Sequence, residues 1–147
     1  MKIAIIINAT ITALVIGIAT GCSTTSPFSE KGYEQATSLK VEAMATMDKA
    51  REPYSSQRQV VERLTFNIEK AYEYAKGRPN NGEVAQQWKI IKDPARNSLG
   101  GFLKRWQDSV ILNESYILEA KGIVSDGFDT VIELESGKRK VSEERSP

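Results

Sequence analysis

The chain has no histidine and only one cysteine among its 147 residues. Without histidine it lacks the commonest general base and the commonest metal ligand. That removes Ser-His-Asp and Cys-His catalytic sets. A single cysteine excludes an internal disulfide framework and a cysteine-cluster zinc site. An excess of one charge is missing too. There are 20 Lys and Arg against 19 Asp and Glu, so the basic footprint of a nucleic-acid binder is not there. No P-loop, G-x-S-x-G or S-x-x-K pattern occurs. The carboxylates have no EF-hand spacing, and Glu62, Glu69, Glu73 and Glu83 fall where solvated helix faces would put them. No catalytic residue, metal, cofactor or small-molecule substrate is indicated. A carboxylate-only wall hydrolase is the remaining enzymatic reading, because glycoside hydrolysis needs just two acids.

What is there begins with Met1-Lys2 and an apolar run from Ile3 to Ile18, interrupted by Asn8, Thr10 and Thr12. One cation, an apolar segment and then small residues is the arrangement of a secretory signal. Lys2 stays on the cytoplasmic side while the run enters the bilayer. From Ile3 to Thr20 is 18 residues, the short end of a membrane span. An uncleaved anchor and a plain secreted protein cut near Ala19 are therefore two readings of this segment. The third rests on Ala19-Thr20-Gly21-Cys22, which resembles the lipobox of bacterial lipoproteins: small residues precede a cysteine, and Cys22 is the only one in the chain. Ala19 stands where that family usually has Leu.

The resemblance covers residues 1–22 and nothing beyond them. It implies that residues 1–21 are a cleaved signal peptide and that the Cys22 thiol carries a diacylglyceryl group. With palmitate-type chains added there, the protein would be anchored stably in the membrane. In the family the residue after the cysteine helps to sort the protein. Ser23 is not Asp, which implies the outer membrane, facing the periplasm, in a cell with two membranes. Lys2 is the only charged residue ahead of Cys22, so the remainder is balanced and has no general attraction to anionic lipid. Residues 22–29 then form the lipidated cysteine and a polar tether. From Ser23 to Ser29 it spans about 25 Å at full stretch, at roughly 3.3–3.6 Å per residue.

Helical periodicity dominates the rest of the chain, and residues 30–136 read as an all-α domain, a three- or four-helix antiparallel bundle with short loops. Ser29 is the N-cap of a first helix whose Tyr33, Ala36, Leu39, Lys40, Ala43, Met44, Met47 and Ala50 fall at three- and four-residue steps. Pro53 ends it near Arg51-Glu52. A second helix from Ser55 or Ser56 to Lys76 carries the stripe Val61, Leu64, Ile68, Ala71 and Ala75. Gly77-Arg78-Pro79-Asn80-Asn81-Gly82 stops it. A third runs from Glu83 to Lys92 with Val84, Trp88 and Ile91 on one face.

Asp93-Pro94 reads as an N-cap and first helical residue, starting a helix that extends to about Ser125. Gly100-Gly101 marks a kink or a close helix approach in it. Along this helix Leu103, Trp106, Val110, Asn113, Ile117, Ala120 and Val124 alternate steps of three and four, a coiled-coil-like seam. Asn113 is either a buried residue fixing register or a residue at the bundle edge. Ser125-Asp126-Gly127 is a candidate break, after which Phe128, Val131, Ile132 and Leu134 continue the seam or form a short edge element. Residues 137–147 form a charged flexible tail, in which Lys138-Arg139-Lys140 is followed at once by Glu143 and Glu144.

The expected function is a non-catalytic, lipid-anchored envelope protein that binds a protein partner near the membrane or associates with itself. The candidate partner-binding residues are those of the seam, Leu103, Trp106, Val110, Asn113, Ile117 and Val124, with the Met-lined first helix as the other face. An accessory lipoprotein of the assembly or pilot kind is one version. A protective lipoprotein, blocking a receptor or a toxin, is another.

Overall fold

A computed structural model describes residues 28–137, so the signal segment, Cys22 and most of the charged tail lie outside the described residues. Five α-helices and one short 3-10 turn make up the described part, with no strand among them. The helices are α1 (Glu30–Asp48), α2 (Tyr54–Lys76), α3 (Gly82–Lys92), α4 (Leu99–Ser109) and α5 (Glu114–Glu135), with the 3-10 turn Lys49–Arg51 closing α1. No described helix is long and apolar enough to cross a membrane.

The first three helices follow their sequence signals closely. The Ser29 hydroxyl accepts from the Gly32 amide and caps α1, supplying one of the acceptors that a helix start needs. Its buried face is Ala36, Leu39, Ala43, Thr46 and Met47. The α2 stripe Val61, Leu64, Ile68, Ala71 and Ala75 is buried in full, as are Val84, Trp88 and Ile91 of α3. These side chains join one core with those of α4 and α5. Each large one withdrawn from water contributes about 1.5–3 kcal/mol. The alanines let helices approach closely, and the aromatic rings fill the wider gaps. Trp88 meets Phe128 edge-on at 5.7 Å and so joins α3 to α5. Phe102 stacks on Tyr116 at 5.9 Å and joins α4 to α5.

The long helix expected from Pro94 does not form. Residues Pro94 to Ser98 make a turn, in which Asp93 caps the Ala95 amide, and α4 starts only at Leu99. The helix then stops at Ser109 and a new one starts at Glu114. Five helices therefore stand where three or four were expected. The break was hidden by arithmetic. From Trp106 on α4 to Ile117 on α5 is eleven residues, close to three turns, so the interruption leaves the three-and-four stepping intact. Ser125-Asp126-Gly127 is no break: α5 runs through it to Glu135, and Phe128, Val131 and Leu134 are its buried face.

Ion pairs record how the helices lie. Lys40 bonds Asp129 and Lys121 bonds Asp48, both at 2.6 Å, so positions rise along α1 as they fall along α5. Glu69 on α2 holds Lys92 on α3 at 2.6 Å.

Candidate functional site

The four residues between α4 and α5 form the most unusual piece of backbone. Val110 has φ 68° and ψ −52°, and the Ile111 amide donates to the Ser109 carbonyl at 2.8 Å. An i to i+2 hydrogen bond with the central residue at positive φ is a γ-turn of the rarer, strained hand. A β-branched residue at such a φ is an outlier, and backbone of this sort costs about 1–3 kcal/mol.

Neighbouring groups hold the turn in place. The Tyr54 amide donates to the Val110 carbonyl at 2.9 Å, and the Leu112 amide to the Ala50 carbonyl at 2.8 Å. Trp106 is fully buried; its indole N–H donates to the Glu52 carbonyl at 3.0 Å, and its ring meets Tyr54 edge-on at 5.5 Å. Trp106, Val110 and Leu112 are thus fixed to the α1–α2 corner around Pro53. Leu112 turns inward, whereas Val110 and Ile111 remain 56% and 53% exposed. Leu118, one turn into α5, is exposed as well.

The seam residues part company at this corner. Leu103 is half-buried, Trp106 is buried, and Val110 and Asn113 are exposed. Ile117 and Val124 belong to the core on α5. Asn113 is not a register residue inside a coiled coil. Its side chain accepts from the Tyr116 amide at 2.9 Å and caps α5. The signal for this was present as Asn followed by Glu114, a helix-start pattern. The strained turn itself has no sequence signature, because Val is the wrong residue for it. The Met-lined face of α1 is turned inward, with Met47 fully buried and Met44 packed against the core.

The opposite end of α1 is polar and closed. Glu135, only 2% exposed, forms an ion pair with Arg78. The Ser29 amide donates to the Glu135 carbonyl at 3.3 Å, and the Ser29 hydroxyl lies 3.1 Å from the Tyr74 hydroxyl. An added Cβ at Gly32 would fall 2.5 Å from the Glu135 carboxylate and oblige it to shift. Asn81 is buried and donates to the Ala75 carbonyl at 3.1 Å, tying off the end of α2.

Compared with family models, with curated proteins and with solved structures, the chain matches none.

Among the described residues no group of three or more His, Cys, Asp or Glu is placed to hold a metal ion. Glu62, Glu69, Glu73 and Glu83 are all exposed. Among the described residues the one clear shift of a titrating group is at exposed Lys76, raised above its ordinary value of 10.5 chiefly by its hydrogen bond to Glu73. The chemistry available at the Val110 corner is therefore apolar contact on a rigid frame.

Proposed function

We propose that this chain is a non-catalytic, lipid-anchored envelope protein whose helical domain presents the Val110–Ile111 corner to a protein partner. The observation that carries the reading is the clamped γ-turn. Backbone strain persists only where the surroundings over-determine it, and here it holds two large apolar side chains in water. Placement supports the same reading. The tether from Cys22 would enter at Ser29, and α1, at 19 residues, is about 28 Å long at 1.5 Å per residue. The corner lies at the far end of that helix, bonded to Ala50 and Tyr54, so it would face away from the anchoring lipid.

In this reading the helices act as one antiparallel bundle, consistent with the reversed order of the Lys40–Asp129 and Lys121–Asp48 pairs. Anchoring raises the local concentration of the corner beside envelope partners, so a weak contact suffices. The test is a photo-crosslinking amino acid placed at Ile111 in living cells, with the same probe at Phe66, an exposed apolar residue of α2, as control. A discrete adduct at Ile111, absent at Phe66 and lost in Cys22→Ser, is the expected result. Identical adducts from both positions, or an adduct indifferent to Cys22→Ser, would overturn the reading.

A further inference from the structure

The end of the bundle that the Cys22 tether reaches carries an aromatic pair that the fold does not bury. Phe28 precedes the Ser29 cap of α1, and Tyr33 is the fourth residue of that helix. Their rings lie 6.5 Å apart at 50°, and the two residues stand 61% and 38% exposed. The spacing is that of a hydrophobic staple, which fixes the angle at which a chain enters a helix. A staple accounts for the meeting of the rings. It does not account for their exposure, and neither ring joins the core.

The point of entry is itself fixed. The Ser29 amide donates to the Glu135 carbonyl, the Ser29 hydroxyl accepts from the Gly32 amide, and the Tyr74 hydroxyl lies 3.1 Å from it. Phe28 is thus held on the outside of a rigid corner. It stands six residues after Cys22, so at roughly 3.3–3.6 Å per residue it is never more than about 22 Å from that cysteine. The ionisable groups of the first turns, Glu30, Lys31 and Glu34, are of mixed sign, and the Lys31 ammonium lies over the Tyr74 ring at 4.9 Å. This end therefore has no general attraction for an anionic headgroup. What it offers a bilayer is ring surface. Tyrosine suits the membrane–water boundary because its ring is apolar and its hydroxyl is wet, and phenylalanine suits the apolar side of that boundary.

We propose that Phe28 and Tyr33 rest in the interfacial layer of the bilayer that holds the Cys22 anchor. The occupant of this surface is lipid and not a protein, because the tether keeps the pair within reach of lipid whatever else is present. The inference rests on Cys22 being lipidated and goes beyond the reading of the Val110 corner. A bundle held by its anchor alone tumbles on its tether. With the aromatic pair seated as well, α1 rises from the membrane in one direction.

The test uses the lipidated protein isolated from membranes and reconstituted into phosphatidylcholine vesicles, plain or brominated on their acyl chains. Trp88 and Trp106 are buried and supply a constant background. In Phe28→Trp the added emission should move to the blue and be quenched about twofold by the brominated lipid. Tyr33→Trp should be quenched less, and Leu118→Trp, exposed beside the Val110 corner, not at all. Because tryptophan itself favours the interface, Tyr33→Trp is also read together with Phe28→Ser, which should release it from the quencher. Replacing part of the lipid with phosphatidylglycerol should change none of these. Flotation with the vesicles and the mass of Cys22 are read in the same preparation. A chain that fails to float and has an unmodified Cys22 would overturn the anchor, and this contact with it. An acylated chain that floats, yet is quenched equally at positions 28 and 118, or only with phosphatidylglycerol present, would overturn the contact and leave the anchor standing.

Discussion

The two ends of α1 invert the usual rule of folding in opposite ways. At the Ser29 end a carboxylate and a guanidinium are withdrawn from water, and the polar groups around them are bonded to one another, save the buried Asn81 side-chain oxygen. At the Val110 end apolar side chains stand in water on strained backbone. Burying charge is expensive unless the charges are paired, and the Ser29 end satisfies that condition. The strain at Val110 is held by the hydrogen bonds to Tyr54 and Ala50 and by the burial of Trp106 and Leu112 beside it, none of which calls for Val110 and Ile111 to be apolar and exposed. The first inversion is explained by the fold itself, as a clasp joining the start of α1, the end of α2 and the end of α5. The second is not, and a feature that the fold does not explain is where a contact with something else is sought.

Breaking the clasp should have the largest effect. Glu135→Leu leaves Arg78 without its buried counter-charge and should cost about 3 kcal/mol, read as a lower urea midpoint with unchanged slope. Gly32→Ala should act in the same direction by pushing the Glu135 carboxylate aside. Because both act on one ion pair, the double variant should lose less than the sum of the two.

Relieving the corner should work in the other direction. Val110→Gly accepts the positive φ without strain and should raise stability by about 1 kcal/mol. The same change removes an exposed apolar side chain, so crosslinking through the corner should fall as stability rises. A loss of stability in Val110→Gly would mean that the turn is not strained. Smaller still is Ile111→Asp. An exposed position should tolerate it within about 0.5 kcal/mol, yet it should remove the crosslinked adduct.

The smallest effect separates an exposed pair from the buried one. Lys76 is raised by Glu73, so any stability that this pair contributes is present below pH 10.5 and lost as pH rises beyond it. In Glu73→Gln the melting temperature at neutral pH should fall only slightly, because solvent-exposed pairs contribute little. The difference between the variant and the parent protein should narrow further above pH 10.5.

The sequence carried the first three helices and their buried stripes, because each is bounded by a strong stop or start signal. Pro53, the Gly77–Gly82 loop and the Ser29 cap are local and legible. What it hid was decided by distant parts of the chain. The break at Val110 is enforced by hydrogen bonds from Tyr54 and to Ala50, more than fifty residues away along the chain, while the three-and-four stepping runs straight across it. Gly100-Gly101 was half legible: a close approach was expected, but onto the end of α3 and not within a continuous helix. The clasp was invisible, since Glu135 looks like any other acid near a charged tail.

The preserved stepping across residues 110–113 has a mechanical corollary. The stretch is written so that a continuous rod would keep its greasy stripe in line, and the fold-back is set by the main-chain bonds at Val110 and Leu112 together with the burial of Ile117, Val124, Phe128 and Val131 of α5 in the core. Were the turn to straighten, the buried face of α5 would be drawn off α1 and α3 and exposed to water. The turn at Val110 is thus what brings that stripe back onto the core.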